Sequence, residues 1–184
     1  MAKLDEFMAL LTGSFNNKEQ YSSLQKAERD FPYAEHINTA CNDKINNLPL
    51  DFPGKFMVEE SIYEVNGKRH ASSHLFLFTE KPEGILLTSY EIPEGNNKAG
   101  FSYKNMTTAD FLCLKLSERF TPALFREKNG VWEGGSISMF TPVMKFQLLE
   151  RFSKDCLEVS ETIEVNGKRT FGYDQPILYK RVPE

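Results

Sequence analysis

Apolar positions along the chain follow two rhythms. Near the start, Leu4, Phe7, Met8, Leu10 and Leu11 recur at spacings of three and four, which predicts an amphipathic helix that Gly13 is placed to end. Asn16 or Asn17 can cap a second helix through Lys18-Glu19-Gln20 and across Tyr21, Leu24 and Ala27, closed by Phe31-Pro32. From Tyr33 to Pro53 the pattern breaks down. Asn42-Asp43, Asn46-Asn47 and two prolines mark a polar connection, read as irregular chain or a short helix.

From Phe56 the rhythm becomes that of strands. Phe56–Val65, Lys68–Phe78 and Ile85–Tyr90 are β-rich runs, the first two joined by Asn66-Gly67. Asn-Gly tolerates positive φ at both central turn positions, so it is the strongest short-range hairpin signal. Pro93–Gly100 reads as a mobile loop, and Thr107-Thr108-Ala109-Asp110 as a cap ahead of one short mid-chain helix carrying Phe111, Leu112, Leu114 and Leu116. Strands resume at Ala123–Glu127, Val131–Glu133, Ser136–Phe140, Val143–Leu149, Cys156–Val165 and Ile177–Arg181, with further Asn-Gly turns at Asn129-Gly130 and Asn166-Gly167. Val-Asn-Gly-Lys-Arg occurs at both Val65–Arg69 and Val165–Arg169, read as two independent hairpins solving one turn problem. Short strands at close intervals favour a meander that closes on itself, because closure removes exposed edges. The expected fold is mainly β, an antiparallel barrel with N-terminal helices at its edge.

Composition narrows the function classes. The chain has 184 residues and no linker, so residues 1–184 are expected to form one domain. The net charge is -4 and the 22 Lys and Arg are interspersed with acids, which argues against a phosphate-gripping nucleic-acid binder. With no signal-peptide pattern and no apolar run of membrane-spanning length, the expectation is a cytoplasmic protein that does not enter membranes. Cys41, Cys113 and Cys156 are odd in number and form no Cys-x-x-Cys pair, which suits a reducing compartment.

Candidate chemistry is sparse. His36, His70 and His74 show no ligand spacing and the cysteines supply no complement, so no metal site is expected. There is no Gly-x-Ser-x-Gly elbow for an acyl-transfer nucleophile. Cys113 reads as core within its helix. Gly134-Gly135 follows a strand without a helix after it, so a bend or bulge is expected rather than a phosphate cradle. Trp132 can stack on a ligand or fill the barrel. In Phe56–Tyr63, one face carries Met57, Glu59, Ser61 and Tyr63 and the other Phe56, Val58, Glu60 and Ile62. Each face holds one acid, so alternation alone leaves open which is inside.

Leu11-Thr-Gly-Ser-Phe-Asn-Asn-Lys-Glu-Gln20 resembles the opening of the T-type phycobiliprotein lyases, the CpeT/CpcT family, with their Gly-x-Phe-x-Asn-x-x-Gln pattern ahead of a segment ending in His-Ile, here His36-Ile37. Val58-Glu59-Glu60 is similar to the family's Val-Glu-Gln strand and Ser89-Tyr90 to its Asn-Tyr. Thr107–Asp110 is similar to its Thr-Ala-Asp helix start, Val131–Gly135 to its Phe-x-Gly-Gly and Val159-Ser160-Glu161 to its late Ser-Glu strand. The resemblance runs in order over nearly the whole chain, nearer the CpeT branch. It implies a dimeric, calyx-like (lipocalin-like) barrel that holds a linear tetrapyrrole as substrate, phycoerythrobilin or phycocyanobilin, with no permanently bound cofactor. The pigment, received from a bilin-synthesis enzyme, would be attached to a cysteine of a phycobiliprotein β subunit.

No nucleophile of its own is then required, because the thioether forms on the acceptor's cysteine. The resemblance assigns Glu59 and Glu161 to the pyrrole N–H groups and Tyr63 and Tyr90 to the pocket lining; Trp132 stands beside them as a candidate ligand contact. Where the family reads Tyr-Arg-Gln-Arg, this chain has Ala71-Ser72-Ser73-His74, so Ser72 and His74 stand at the arginine positions and Arg69 or Lys68 is left to meet the propionates. The family's two cysteines have no counterparts near Thr121 or Val143, and its late Asp-Arg-Gly-Phe-Asp is reduced to little beyond Asp174. The rival expectation is a barrel that carries a bilin or another hydrophobic ligand without transferring it.

Overall fold

Three Asn-Gly pairs turn the chain as their conformational freedom requires. Asn66, Asn129 and Asn166 have φ of 50°, 54° and 51°, and the glycine after each is also at positive φ. The computed structural model describes residues 3–24 and 30–183. Helix α1 (Lys3–Leu11) leads to strand β1 (Gly13–Asn16), helix α2 (Lys18–Leu24), β2 (Tyr33–Ala40) and a two-residue β3 (Ile45–Asn46). There follow β4 (Gly54–Val65), β5 (Lys68–Lys81), β6 (Gly84–Tyr90) and a two-residue β7 (Ala109–Asp110). The chain ends with β8 (Ala123–Lys128), β9 (Val131–Thr141), β10 (Met144–Phe152), β11 (Leu157–Val165), β12 (Lys168–Phe171) and β13 (Ile177–Arg181).

Antiparallel pairing runs β10-β9-β8-β6-β5-β4-β2-β1-β13-β11, and β11 returns to β10, which closes a ten-strand barrel; β12 hangs from β11. The mainly β, calyx-like architecture expected from the sequence is the one observed. One end carries the 66–67, 142–143 and 166–167 turns. The opposite end is plugged by α1, which buries Leu4, Phe7, Met8 and Leu11. The Phe7 ring lies 5.2 Å from Phe78, 5.4 Å from Phe125 and 5.0 Å from both Trp132 and Phe152. Such edge-on aromatic contacts add to the burial of area.

A second apolar cluster lies outside the barrel. Phe56, Val58, Leu75 and Leu77 on the outer faces of β4 and β5 are covered by Phe101, Met106 and Ala109 from the long segment after β6. The parallel bridge of β3 to β7 pins that segment. The lower half of β4 is therefore buried on both sides, which is why its sequence reads Phe-Met-Val without alternation. The Pro93–Gly100 loop is tied to this cover, since the Asn96 side chain accepts from the Thr107 N–H at 2.9 Å.

Three expectations are corrected here and one alternative is resolved. Tyr33–Ala40 is a strand, not an irregular connection, and its buried positions are Ala34, His36 and Asn38. Polar residues on the inner face had hidden the alternation. The mid-chain helix is a single 3-10 turn, Phe111–Cys113; the Asp110 side chain does cap it, accepting from the Leu112 N–H at 2.9 Å, but Cys113 is exposed rather than core. Gly134-Gly135 makes neither bend nor bulge, and β9 passes through it in register with both neighbours. A Cβ on Gly135 would stand 2.1 Å from the Leu148 carbonyl oxygen, so these glycines serve close strand approach. Asn16, not Asn17, caps α2 with its side chain, while Asn17 is buried and bonds to Pro32 and Ala34; the continuation through Ala27 lies outside the described residues.

Candidate functional site: an acid-lined cavity in the barrel

Strand β10 runs from one end of the barrel to the other and presents Phe146, Leu148, Glu150 and Phe152 inward in that order. Phe152 closes the floor against Phe7, and Phe146 stands near the mouth, where its ring stacks on Phe140 at 5.3 Å and meets Phe120 at 5.7 Å. Between them is a cavity of about 300 Å³, at the lower limit of pockets that hold small molecules. Its walls include Phe76, Phe120, Phe140 and Phe146, and Glu59, Glu150 and Glu161 project into it.

The three acids come from three strands. Glu59, on β4, is 9% exposed; the Ser61 hydroxyl donates to its Oε1 at 3.3 Å and lies 3.1 Å from His36 Nε2. His36 Nδ1 is 3.8 Å from the other Glu59 oxygen and finds no closer partner among the described residues. Glu161, on β11, accepts from the Tyr63 hydroxyl at 3.1 Å. Glu150 is 7% exposed, and among the described residues no hydrogen bond or ion pair reaches it.

Burial decides their protonation. Removal from water penalises the charged form, so desolvation lifts all three carboxyls above the ordinary range, and neighbouring acids add to the lift of Glu59 and Glu150. Glu150 is pushed up to about 8, first by burial and then by Glu161, and Glu59 is raised well above its ordinary value by burial, Glu150 and Glu161. Glu161 is raised by burial against the opposing hydrogen bond from Tyr63. His36 is pulled down to about 3 by burial and the neighbouring His74, so the His36–Glu59 pair sits as two neutral groups. Burial also raises the Tyr63 and Tyr179 hydroxyls. The result is a nest of protonated, hydrogen-bonding groups with little compensating charge.

Several residues singled out from the sequence meet here. Met57, Glu59, Ser61 and Tyr63 form the inward face of β4, with Met57 in the core beside α1. Glu59 and Glu161 line the cavity; Ser72 and His74 line it from β5, with His74 stacked on Phe76 at 5.5 Å and Ser72 exposed toward the mouth. Tyr63 lies just beside it, in a crevice of about 10 Å³ with Phe171 and Glu161.

Three do not. Tyr90 faces outward, because Ile85, Leu87 and Ser89 take the inner positions of β6, and its ring packs on Phe56 at 5.4 Å in the outer cluster. Arg69 is one residue out of phase with the inward His70, Ser72 and His74, so it points away from the cavity at the exposed hairpin tip. Trp132 fills the floor beside Phe7 and does not line the cavity.

Two participants went unnoticed in the sequence. Glu150 could have been found from Phe146-x-Leu148-x-Glu150-x-Phe152, an acid on an otherwise apolar strand face. Arg119 carried no such signal. It lies in the connection before β8, its guanidinium 3.9 Å from the Phe140 ring centre, and it is the one Lys or Arg lining the cavity among the described residues. No helix among them is long and apolar enough to cross a membrane. Comparison with models of known protein families gives no match, and comparison with curated proteins gives none.

Proposed function

We propose that the chain binds a linear tetrapyrrole, phycoerythrobilin first, and assists its covalent attachment to a cysteine of a phycobiliprotein β subunit, as a T-type lyase of the CpeT/CpcT kind. The observation that carries the reading is the set of three inward carboxyls, Glu59 and Glu150 buried and Glu161 half-buried, inside an aromatic-walled barrel cavity. A bilin is a conjugated chain of pyrroles whose N–H groups need acceptors and whose flat surface needs apolar walls. Attachment adds the acceptor's thiol across an unsaturated carbon of the bilin: the C–S bond forms and the thiol proton passes to the tetrapyrrole, so no redox partner is consumed. The chain's own task is to hold the pigment, exclude water and leave its reactive end at the mouth. A cavity of about 300 Å³ suits that task, because it encloses only part of so long a ligand. A second copy would dock on the outer face of β9 and β10, where Ile137, Met139 and Leu149 are each more than half exposed.

The absence of arginine from the inner face of β5 favours the carrier as the second reading. Co-expression with bilin-synthesis enzymes and a phycobiliprotein β subunit separates the two. Lyase action leaves colour on the acceptor through denaturing electrophoresis. Colour that stays noncovalently on this chain selects the carrier, and no colour on either protein removes both. Glu59→Gln is expected to weaken or blue-shift bound pigment while the barrel stays folded; an unaltered spectrum would take Glu59 out of the site.

A further inference from the structure

The cavity is polarised along its length. At its inner end, Glu150 sits two residues above Phe152 on β10, 7% exposed and without a partner among the described residues. Buried polar atoms are normally paired, so unpaired ones facing a cavity mark where a ligand's polar groups belong. At the outer end Arg119 is exposed, and among the described residues it makes no ion pair although three carboxyls line the same cavity. Its guanidinium packs over Phe140 at 3.9 Å and Phe120 at 5.7 Å, which orients its planar fork of donors at the mouth.

Resting on the tetrapyrrole reading above, we propose that Arg119 and Glu150 set the direction in which the ligand is held: N–H groups lead inward to Glu150, and a ligand carboxylate stays at the mouth on Arg119. The ligand class is thereby an elongated conjugated molecule with N–H donors at its inner part and a carboxylate further out. A guanidinium matches a carboxylate with two parallel donors, whereas an ester lacks the charge that strengthens them. Arg119 would thus provide from the β8 connection the cation that the inner face of β5 lacks.

Biliverdin and its dimethyl ester, titrated into the full chain and followed by absorption, test this. Biliverdin is expected to bind at least about tenfold more tightly than the ester, since one charge-assisted hydrogen-bond pair is worth that much. Arg119→Gln should lose the same factor for biliverdin and nothing for the ester, because substitution and esterification remove one interaction. Glu150→Gln should shift the absorption band of both ligands, while Arg119→Gln leaves the band in place. Equal binding of acid and ester by the native chain, or an Arg119→Gln chain that keeps the preference, overturns the proposal and leaves the tetrapyrrole reading standing. If neither ligand binds the native chain, both fall.

Discussion

Replacing Glu150 by Gln should make the barrel more stable, by an amount that grows with pH. The folded chain holds this carboxyl protonated up to about pH 8, whereas in the unfolded chain it ionises near its ordinary value of 4.5. The folded state therefore binds more protons between those values. The group's contribution to stability is intact below pH 4.5, falls as pH rises through that window, and levels off above pH 8. Keeping the carboxyl protonated costs about 3 kcal/mol at pH 7 and roughly 4 kcal/mol at pH 8, at about 1.36 kcal/mol per pH unit. Gln is close in shape, carries no charge and avoids that cost. Urea unfolding of both proteins at pH 4, 7 and 8 provides the assay, with the same transition slope required so that midpoints compare stability. The expected difference is below about 0.5 kcal/mol at pH 4 and widens to several kcal/mol at pH 8 in favour of Gln. Exposed acids titrate alike in both proteins and cancel. Parallel curves across the window, or a Gln variant weaker at pH 8, would refute the claim that Glu150 is buried without a partner.

Other outcomes follow from the same packing. Phe7→Ala should cost about 3–5 kcal/mol in denaturant unfolding, because the ring plugs the barrel floor among four aromatic neighbours. Gly135→Ala should cost about 1–3 kcal/mol or more, since the added methyl runs into the Leu148 backbone oxygen; a change under about 1 kcal/mol would mean the strands relax freely. The His36 ring should keep its neutral-imidazole NMR shifts down to about pH 4, because burial holds it down to about 3. The stability His36 contributes in the neutral form is complete above its ordinary value of 6.5 and declines as pH falls toward 3.

How much of this was readable in advance depended on whether apolar alternation survived. β5, β6 and β13 announced themselves because apolar residues occupy their buried positions, and Asn-Gly pairs marked the turns that join β4 to β5 and β11 to β12. β2 was lost because His36 and Asn38 face inward where a Val or Leu would have revealed the strand. β1 is only four residues long, below the length at which a period of two can be seen. Tyr90 was misplaced because residues adjacent in sequence point to opposite faces of a strand, so a one-residue choice moves a side chain from cavity to exterior. The inward face of β4 was undecidable because the outer cluster buries Phe56 and Val58 as deeply as the barrel buries Met57. Arg119 depended on a connection folding back over Phe140, a long-range contact for which the local pattern holds no information.

The features that hid the site are those that define it. An inner face composed only of apolar residues would have been legible and more stable, but it would offer nothing to a ligand's N–H groups. Here Glu59, Glu150, Glu161, His36 and Asn38 occupy inward barrel positions where burial disfavours charge and unpaired polar atoms, and among the described residues Asn38 leaves its side-chain oxygen unpaired. The cost is concentrated between the floor and the mouth, while stabilising burial is placed around it: the α1 plug below and the Phe101–Met106 cover outside β4 and β5. Those two apolar layers keep β4 fixed on both faces, so Glu59 and Ser61 hold their geometry without a ligand. A ligand that pairs with Glu150 would satisfy a buried carboxyl that the fold leaves unpaired among the described residues, and by mass action would stabilise the fold by an amount that grows as the logarithm of ligand concentration above its Kd. Thermal unfolding should thus report binding directly, with a smaller shift in Glu150→Gln, where the ligand's N–H groups no longer meet a carboxyl.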